Sequence, residues 1–599
     1  MIDSSKVSAA HDGFVSQVAP DRGEAPGLAP DHGKPFVIDR STIATGSIAG
    51  MRLLGIVAGY RVLVSGEPML FVEPPRCATI DEFLLGFSGS GAMCACIGPK
   101  GDVLFGCDLY GLTTYFYRVN EHEVVISPMI DAITGTGNEK LDEVSLFELF
   151  FTGLVYGSGT PFVDVFKSCP LSVLEITFAD AGVRCARRDV LPAITQAPSF
   201  DDAIRGAMAT VTRDARIQLN FSGGADSTAL LRSLQEFGTP FTVSHYMLMP
   251  GELSEAYTGL AGTGLRLQVV RPWRQLRCTD LEYRPCAIHT SPEMDLELSD
   301  LALATGADMV LTGQNADAMS EFGNTDKVAL RDLASSLLMQ GLGGTSMRIL
   351  LARAIEKFPK RVPRRLLRAY SMAASLKNCS SDFELAFLTA MTCRRRPTPM
   401  WYNPEELSFL SWELRQAWLE RMRGEVRHLD EHPELSFRQK LYVTQFRNYL
   451  IGGDVRCITA AAQRAGVRNV QLYTTPPMVS YFFNAEPSVR DILRPKTAIR
   501  RYAHWRARPR VAEAHVLSDA ERVVVRDASY RLVGELDTRS PEEKLREENA
   551  RYPWLSRAAF EAVRPLQGPS WRSRVSQLYG LMHGEYAPRS FEDTGALTL

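Results

Sequence analysis

The stretch Ile217-Gln218-Leu219-Asn220-Phe221-Ser222-Gly223-Gly224-Ala225-Asp226-Ser227-Thr228-Ala229-Leu230-Leu231 decides how the chain is read. Its first four residues alternate apolar and polar, the period of a strand, and its last four read as the opening of a helix. Between them stands a glycine turn with a carboxylate inside it. Gly223 and Gly224 let the backbone approach an anion closely, and Ser222, Ser227 and the first N–H groups of the helix can donate to phosphate oxygens. Asp226 is the unexpected member, because an acid beside phosphates is repulsive unless a divalent cation lies between them. The stretch therefore proposes a nucleotide pyrophosphate site with Mg²⁺. It is not a Walker loop, since no Gly-Lys-Ser/Thr follows, and it lacks the three-glycine dinucleotide spacing. Taken alone it also suits an ordinary strand-to-helix turn, with Asp226 favoured by the helix dipole.

A second segment bears on that choice. Ala307-Asp308-Met309-Val310-Leu311-Thr312 has the pattern of a buried strand and runs into Gly313-Gln314-Asn315-Ala316-Asp317-Ala318. Together the two loops resemble those of the asparagine synthetase-like ATP pyrophosphatases, the family of asparagine synthetases, β-lactam synthetases and lasso-peptide macrolactam cyclases. The resemblance implies ATP and Mg²⁺ as cofactors, with Asp226 and Asp317 as metal ligands. It places pyrophosphate on Ser222, Gly223, Gly224, Asp226, Ser227 and Gly313, and adenine near the backbone of Leu219 and the strand at 241–247. Two acids at the C-terminal ends of neighbouring parallel strands suit a metal held against pyrophosphate.

The resemblance runs along most of the chain. Gly106-Cys107-Asp108-Leu109-Tyr110-Gly111, Tyr115-Phe116-Tyr117, Val124-Val125-Ile126-Ser127, Leu146-Phe147-Glu148-Leu149-Phe150 and the glycine turn at 153–159 are similar to the family's N-terminal amidotransferase domain. Ala461-Ala462-Gln463-Arg464-Ala465-Gly466-Val467, residues 472–479 and Pro495-Lys496-Thr497-Ala498-Ile499-Arg500 resemble its helical part around the acceptor pocket. The fold implied is an N-terminal αββα sandwich of the N-terminal-nucleophile (Ntn) type, followed by a doubly wound parallel-sheet α/β domain with helical additions. The expected divisions are a disordered tail at 1–35, an amidotransferase-like domain at 36–195, the ATP pyrophosphatase domain at 196–510 and a helical extension at 511–599.

Three departures set this chain apart. Glutamine-using members expose an N-terminal Cys after Met removal, whereas this chain opens Met1-Ile2-Asp3 and has no cysteine before Cys77. A nucleophile needing thiol and α-amine on one residue is missing, so the first domain is expected to be inactive toward glutamine. Gln314 stands where the family carries Glu or Tyr; an amide orients by hydrogen bonds but takes up no proton near neutral pH. The family's C-terminal lysine meets His504-Trp505-Arg506-Ala507-Arg508-Pro509-Arg510, which contains none. Lys496 and Arg506 are the candidates to supply the positive charge, and Gln314, Lys496 and Arg506 make up the expected catalytic set.

Composition bounds the partners. A chain of 599 residues with 45% hydrophobic content can bury two sizeable cores, and its net charge of -2 argues against nucleic acid or an anionic membrane as partner. No run of about 18 apolar residues occurs, and a cytoplasmic location is expected. The 11 cysteines are scattered without zinc spacing, so Cys94, Cys96, Cys278 and Cys286 are read as reduced thiols. The basic run at 357–368 has one aromatic, Phe358, among its charges and reads as a solvated helix face.

The function expected is an ATP-dependent, amide-forming ligase in natural-product biosynthesis. It would adenylate a small-molecule or peptide carboxylate and pass the acyl group to an amine, with a peptide-processing protein as a further partner. The alternatives are an asparagine synthetase using free ammonia or glutamine, and a non-catalytic nucleotide-binding scaffold. Helices are expected at 201–209, 296–304, 333–342, 347–357, 414–423 and 436–450.

Overall fold

A computed structural model describes residues 35–246, 256–270, 301–320, 412–447 and 459–505, apart from short interruptions inside these ranges. The tail at 1–34, the helices expected at 333–342 and 347–357, the basic run at 357–368, Cys278, Cys286, Arg506 and the extension beyond 511 lie outside the described residues.

The first half is built from short strands. They are β1 (Phe36–Asp39), β2 (Arg52–Val57), β3 (Tyr60–Val64), β4 (Met69–Leu70), β5 (Phe87–Ser88), β6 (Cys94–Ile97), β7 (Val103–Gly106), β8 (Phe116–Val119), β9 (Glu123–Ser127), β10 (Phe166–Lys167), β11 (Ser172–Ala179) and β12 (Gly182–Asp189). Between them lie helices α1 (Arg40–Thr45), α2 (Ile80–Gly86) and α3 (Asp131–Thr134). A four-stranded antiparallel sheet in the order β1-β9-β8-β10 faces a six-stranded one in the order β12-β11-β7-β6-β3-β2. Ile38 and Ile126 from the first sheet share a core with Leu63, Phe105 and Ile176 from the second. The other face of the larger sheet carries Val62, Cys94, Cys96 and Leu104, packed with Phe83 and Leu84 of α2. Being apolar on both faces explains why β6 and β7 are fully buried. Cys94 and Cys96 serve there as small strand residues with free thiols.

The second half comprises α4 (Phe200–Val211), β13 (Ile217–Asn220), α5 (Ala225–Phe237), β14 (Phe241–Tyr246), β15 (Leu267–Val270), β16 (Met309–Thr312), α6 (Ala316–Ser320), α7 (Trp412–Asp430), α8 (Phe437–Gln445), β17 (Arg468–Gln471), α9 (Pro476–Asn484) and α10 (Thr497–Tyr502). Five strands form a parallel sheet in the order β15-β14-β13-β16-β17. The chain thus starts in the middle, winds outward through β14 and β15, then returns to the opposite side of β13. The C-terminal ends of β13 and β16, neighbours in the sheet, thus carry connections that continue toward opposite edges.

One face of this sheet is apolar. Ile217, Leu219, Val243, Met309, Leu311 and Val470 lie in a core with Ile204 and Met208 of α4 and Leu230 of α5. α4 buries Phe200, Ala203, Ile204, Ala207, Met208 and Val211, the spacing of a single helical stripe. The other face carries a polar rung across all five strands: Gln268, Ser244, Asn220, Thr312 and Gln471 stand in register.

The halves join through a shared core and a charged seam. Tyr110, Phe116, Val155 and Leu171 enter the same cluster as Trp418, Met422, Val426 and Leu429 of α7. The polar stripe of α7 faces the first half, with Arg421 on Asp142 at 2.6 Å, Glu425 on Arg187 at 2.6 Å and His428 on Asp189 at 2.6 Å. Arg447, 1% exposed, reaches Asp189 at 2.7 Å and donates to the carbonyls of Pro170 and Leu171. Among the described residues no helix is long and apolar enough to cross a membrane.

Burial works to raise the Asp189 carboxyl, but the His428 hydrogen bond and the charges of Arg447, His428 and Arg187 outweigh it and hold the group at about 2, below its ordinary 3.8. A carboxyl lowered on folding stabilises above its unfolded value, and that contribution disappears as pH falls through the folded one. Wild-type stability in urea is therefore expected to drop as pH falls from 4 toward 2, with a shallower drop in Asp189→Asn. Asp189→Ala, which leaves the buried Arg447 without its carboxylate, is expected to lose about 3–5 kcal/mol at pH 7 in the same measurement.

Candidate functional site

β13 ends at Asn220, and the chain turns there into α5. The Phe221 N–H donates to the Ser244 carbonyl at 2.8 Å, continuing the pairing with β14 by one residue. The Phe221 carbonyl accepts from His245 Nδ1 at 2.8 Å, which fixes the proton on that nitrogen of the buried ring. Gly259 lies against the Phe221 ring, where a β-carbon would sit 2.8 Å from it.

Gly223 takes φ +83, a left-handed conformation that suits glycine, and Gly224 caps α5 in extended backbone. Ser222 and Ser227 brace the turn from within. The Ser222 N–H donates to Ser227 Oγ at 3.2 Å, the Gly224 N–H donates to Ser222 Oγ at 3.3 Å, and the two hydroxyls are 3.2 Å apart. Thr228 Oγ1 donates to the Gly224 carbonyl at 2.8 Å. No side chain caps α5, so its first-turn N–H groups, which have no intrahelical acceptor, face the turn. Asp226 stands in that first turn.

The second loop lies directly on the first. A β-carbon on Gly313 would come within 3.2 Å of both Asp226 Cβ and the Ser227 nitrogen, so a larger residue there requires the turn to give by a few tenths of an ångström. Asn315 follows in the left-handed region at φ +66, its amide donating to the Gln471 side chain at the end of β17. Three further contacts come from the C-terminal part. The Tyr473 hydroxyl donates to the Asp226 carbonyl at 3.0 Å. Lys496 Nζ meets Asp226 Oδ2 at 2.6 Å. Trp505 Nε1 donates to the Gly223 carbonyl at 3.3 Å, with the Arg500 guanidinium 5.4 Å from its ring centre.

Ser222, Gly223, Gly224, Asp226, Ser227, Gly313 and Lys496 thus converge at one place. Gln314 follows Gly313 and is partly exposed. Asp317 falls in α6, which begins immediately after the second loop on the neighbouring strand; its side chain is outside the described residues, as is Arg506. Leu219 stands in β13, two residues before Phe221. Its side chain is fully buried on the apolar face, and it pairs with Val243 on one side and Leu311 on the other. The rim belongs to Asn220 and Phe221 instead. Tyr473, Gln471, Gly259, His245 and Trp505 carry no local signal of their roles, because each acts across a long loop in sequence. Trp505 stands in the stretch read only for its arginines.

The arrangement fits a phosphate chain: a left-handed glycine, three hydroxyls, an uncapped helix N-terminus and an adjacent ammonium. For a divalent ion the donor set is sparse. Among the described residues no group of three or more His, Cys, Asp or Glu could hold a metal alone. That suits Mg²⁺, which is usually held by one or two carboxylates together with phosphate oxygens, and Asp226 is the carboxylate at hand.

Gly313→Ala is expected to cost about 1–3 kcal/mol in urea unfolding, from the contact forced on Asp226 and Ser227. Gly424→Ala, on α7 with nothing within 4 Å of the added carbon, is expected to stabilise instead, by up to about 1 kcal/mol. The chain matches no protein-family model and no curated protein, so what the site does is argued from its own residues.

Proposed function

We propose that the chain is an ATP-dependent, AMP-forming carbon–nitrogen ligase of the asparagine synthetase-like kind, with the second half as a doubly wound ATP pyrophosphatase domain. The observation that carries this reading is the junction of the two loops, where Gly313 lies on the Asp226 turn and Lys496 reaches the Asp226 carboxylate. The first half, in this reading, is an Ntn-like amidotransferase domain that serves as a structural partner, fastened through Asp189, Arg421 and Arg447.

The N–H groups at the start of α5 and the hydroxyls of Ser222, Ser227 and Thr228 bind the pyrophosphate portion of ATP. Asp226, with Asp317 from the neighbouring loop, would hold Mg²⁺. Bound there, the ion supplies charge neutralisation as negative charge moves onto the leaving pyrophosphate. The substrate carboxylate attacks the α-phosphorus, the bond to pyrophosphate breaks, and an acyl-adenylate results. An amine then attacks the acyl carbon and AMP leaves. Lys496 supplies fixed positive charge to the oxyanions of both steps. Gln314, an amide, orients the amine and takes no proton, so the nucleophile must arrive neutral.

The substrate is a small-molecule or peptide carboxylate, and the amine is carried by the same substrate or comes separately. AMP release from Mg²⁺–ATP, screened against pools of amino-acid-derived and peptide carboxylates, tests the reading. Asp226→Asn is expected to lower the AMP-forming rate by about 10²–10³-fold. It should also abolish the rise in melting temperature produced by Mg²⁺ with a non-hydrolysable ATP analogue. Undiminished stabilisation in Asp226→Asn would overturn the assignment.

A further inference from the structure

We infer that Lys496 is a resident counter-cation that keeps a divalent ion away from Asp226 until nucleotide arrives, making the binding of metal and nucleotide mutually dependent. The inference rests on the reading of this turn as a Mg²⁺–nucleotide site. The ammonium lies 2.6 Å from Asp226 Oδ2, with side-chain exposures of 12% for Lys496 and 21% for Asp226, so water screens the pair only in part.

Hydrogen bonds hold the backbone of Asp226 and the chain that follows Lys496. On the Asp226 side, the Tyr473 hydroxyl holds the carbonyl, and Gly313 lies close enough that a β-carbon added to it would come within 3.2 Å of the Asp226 β-carbon. On the Lys496 side, the residue is in the left-handed region at φ +62, a conformation that costs a lysine and persists where the surroundings impose it. Lys496 precedes α10, and α10 is fastened along α5. Tyr502 donates from its hydroxyl to Glu236 at 2.9 Å and shares a hydrogen bond with Ser233 at 3.0 Å. Arg232 donates to the Tyr502 carbonyl at 2.5 Å and lies over the Tyr502 ring at 5.1 Å. Beyond α10, Trp505 ties the chain back to Gly223. α10 and Trp505 thus anchor the chain that follows Lys496, and the torsions of the Lys496 side chain can carry the ammonium elsewhere.

Two cations compete for one carboxylate. A divalent ion binding alone must expel the ammonium or sit beside it, and like charges at such range repel in a partly dehydrated site. Mg²⁺ also gives up its waters reluctantly for a single carboxylate. A bound triphosphate reverses the balance: its oxygens ligate the metal and receive the displaced ammonium, so both positive groups become favourable together. Linkage then requires nucleotide to strengthen metal binding by the same factor as metal strengthens nucleotide binding.

The test is titration of Mn²⁺, followed by electron paramagnetic resonance of the free ion, into the full chain with and without α,β-methylene-ATP. Wild type is expected to bind Mn²⁺ at least about tenfold more tightly with the analogue present. Lys496→Asn removes the charge with a residue that tolerates the left-handed region, and should bind Mn²⁺ alone about tenfold more tightly than wild type. Lys496→Arg should keep the wild-type pattern, and Lys496→Gly, which also accepts φ +62, repeats the first measurement should the Asn variant not fold. Adding Asp226→Asn to Lys496→Asn should remove the gain. Mn²⁺ binding to Lys496→Asn no tighter than to wild type, while wild type still binds the analogue, would overturn the exclusion role alone. A gain that survives in the double variant would also overturn it. No binding of the analogue to wild type with or without Mn²⁺ would overturn the nucleotide reading beneath it.

Discussion

The close approach of Gly313 to the first turn of α5 is the constraint on which the site depends. Two strands that are neighbours in space but distant in sequence deliver their loops to one point, and the absence of a side chain at Gly313 lets them touch. That approach brings the second loop onto the turn that carries Asp226. The Tyr473 hydroxyl and the Lys496 ammonium reach Asp226 itself, and the Trp505 indole reaches the Gly223 carbonyl three residues earlier.

The same sheet carries two different environments. Its apolar face belongs to the core that α4, α5 and α7 complete, and residues of the first half enter that core too. Its other face bears a polar rung, with Asn220 accepting from Ser244 at 2.8 Å and Gln471 accepting from Asn315. A sheet polar on one side at the rim places hydrogen-bonding groups beside the loops, while the apolar side supplies the burial that holds the strands. The charged seam between the halves has a different character. Asp189 gathers Arg447, His428 and His432, and its value lies in the cost of leaving any of them unpaired rather than in attraction alone.

Much of this was legible in the chain. The strand and helix around residues 217–237 follow from alternation, paired glycines and the left-handed Gly238 that ends α5. The strand at β16 and its glycine loop follow from a short apolar run with a turn signal, and the expected helix at 201–209 is α4, extended by one residue before and two after. Helix ends were less legible: the helix expected at 414–423 spans Trp412–Asp430, because its later turns are held by Asp189 and Arg187 of the first half rather than by a local stop signal.

The sequence alone determined where the anion-friendly turn is, that a carboxylate stands inside it, and that a second glycine loop follows a buried strand. These are local properties, set by backbone freedom and by the period of apolar residues over a few positions. Only the tertiary structure decided that Lys496, rather than another of the many basic residues, meets Asp226, and that Tyr473 and Trp505 brace the same turn. Those partners are chosen by strand order and by packing of α10 on α5, and contacts separated by some 250 residues leave no trace in local pattern.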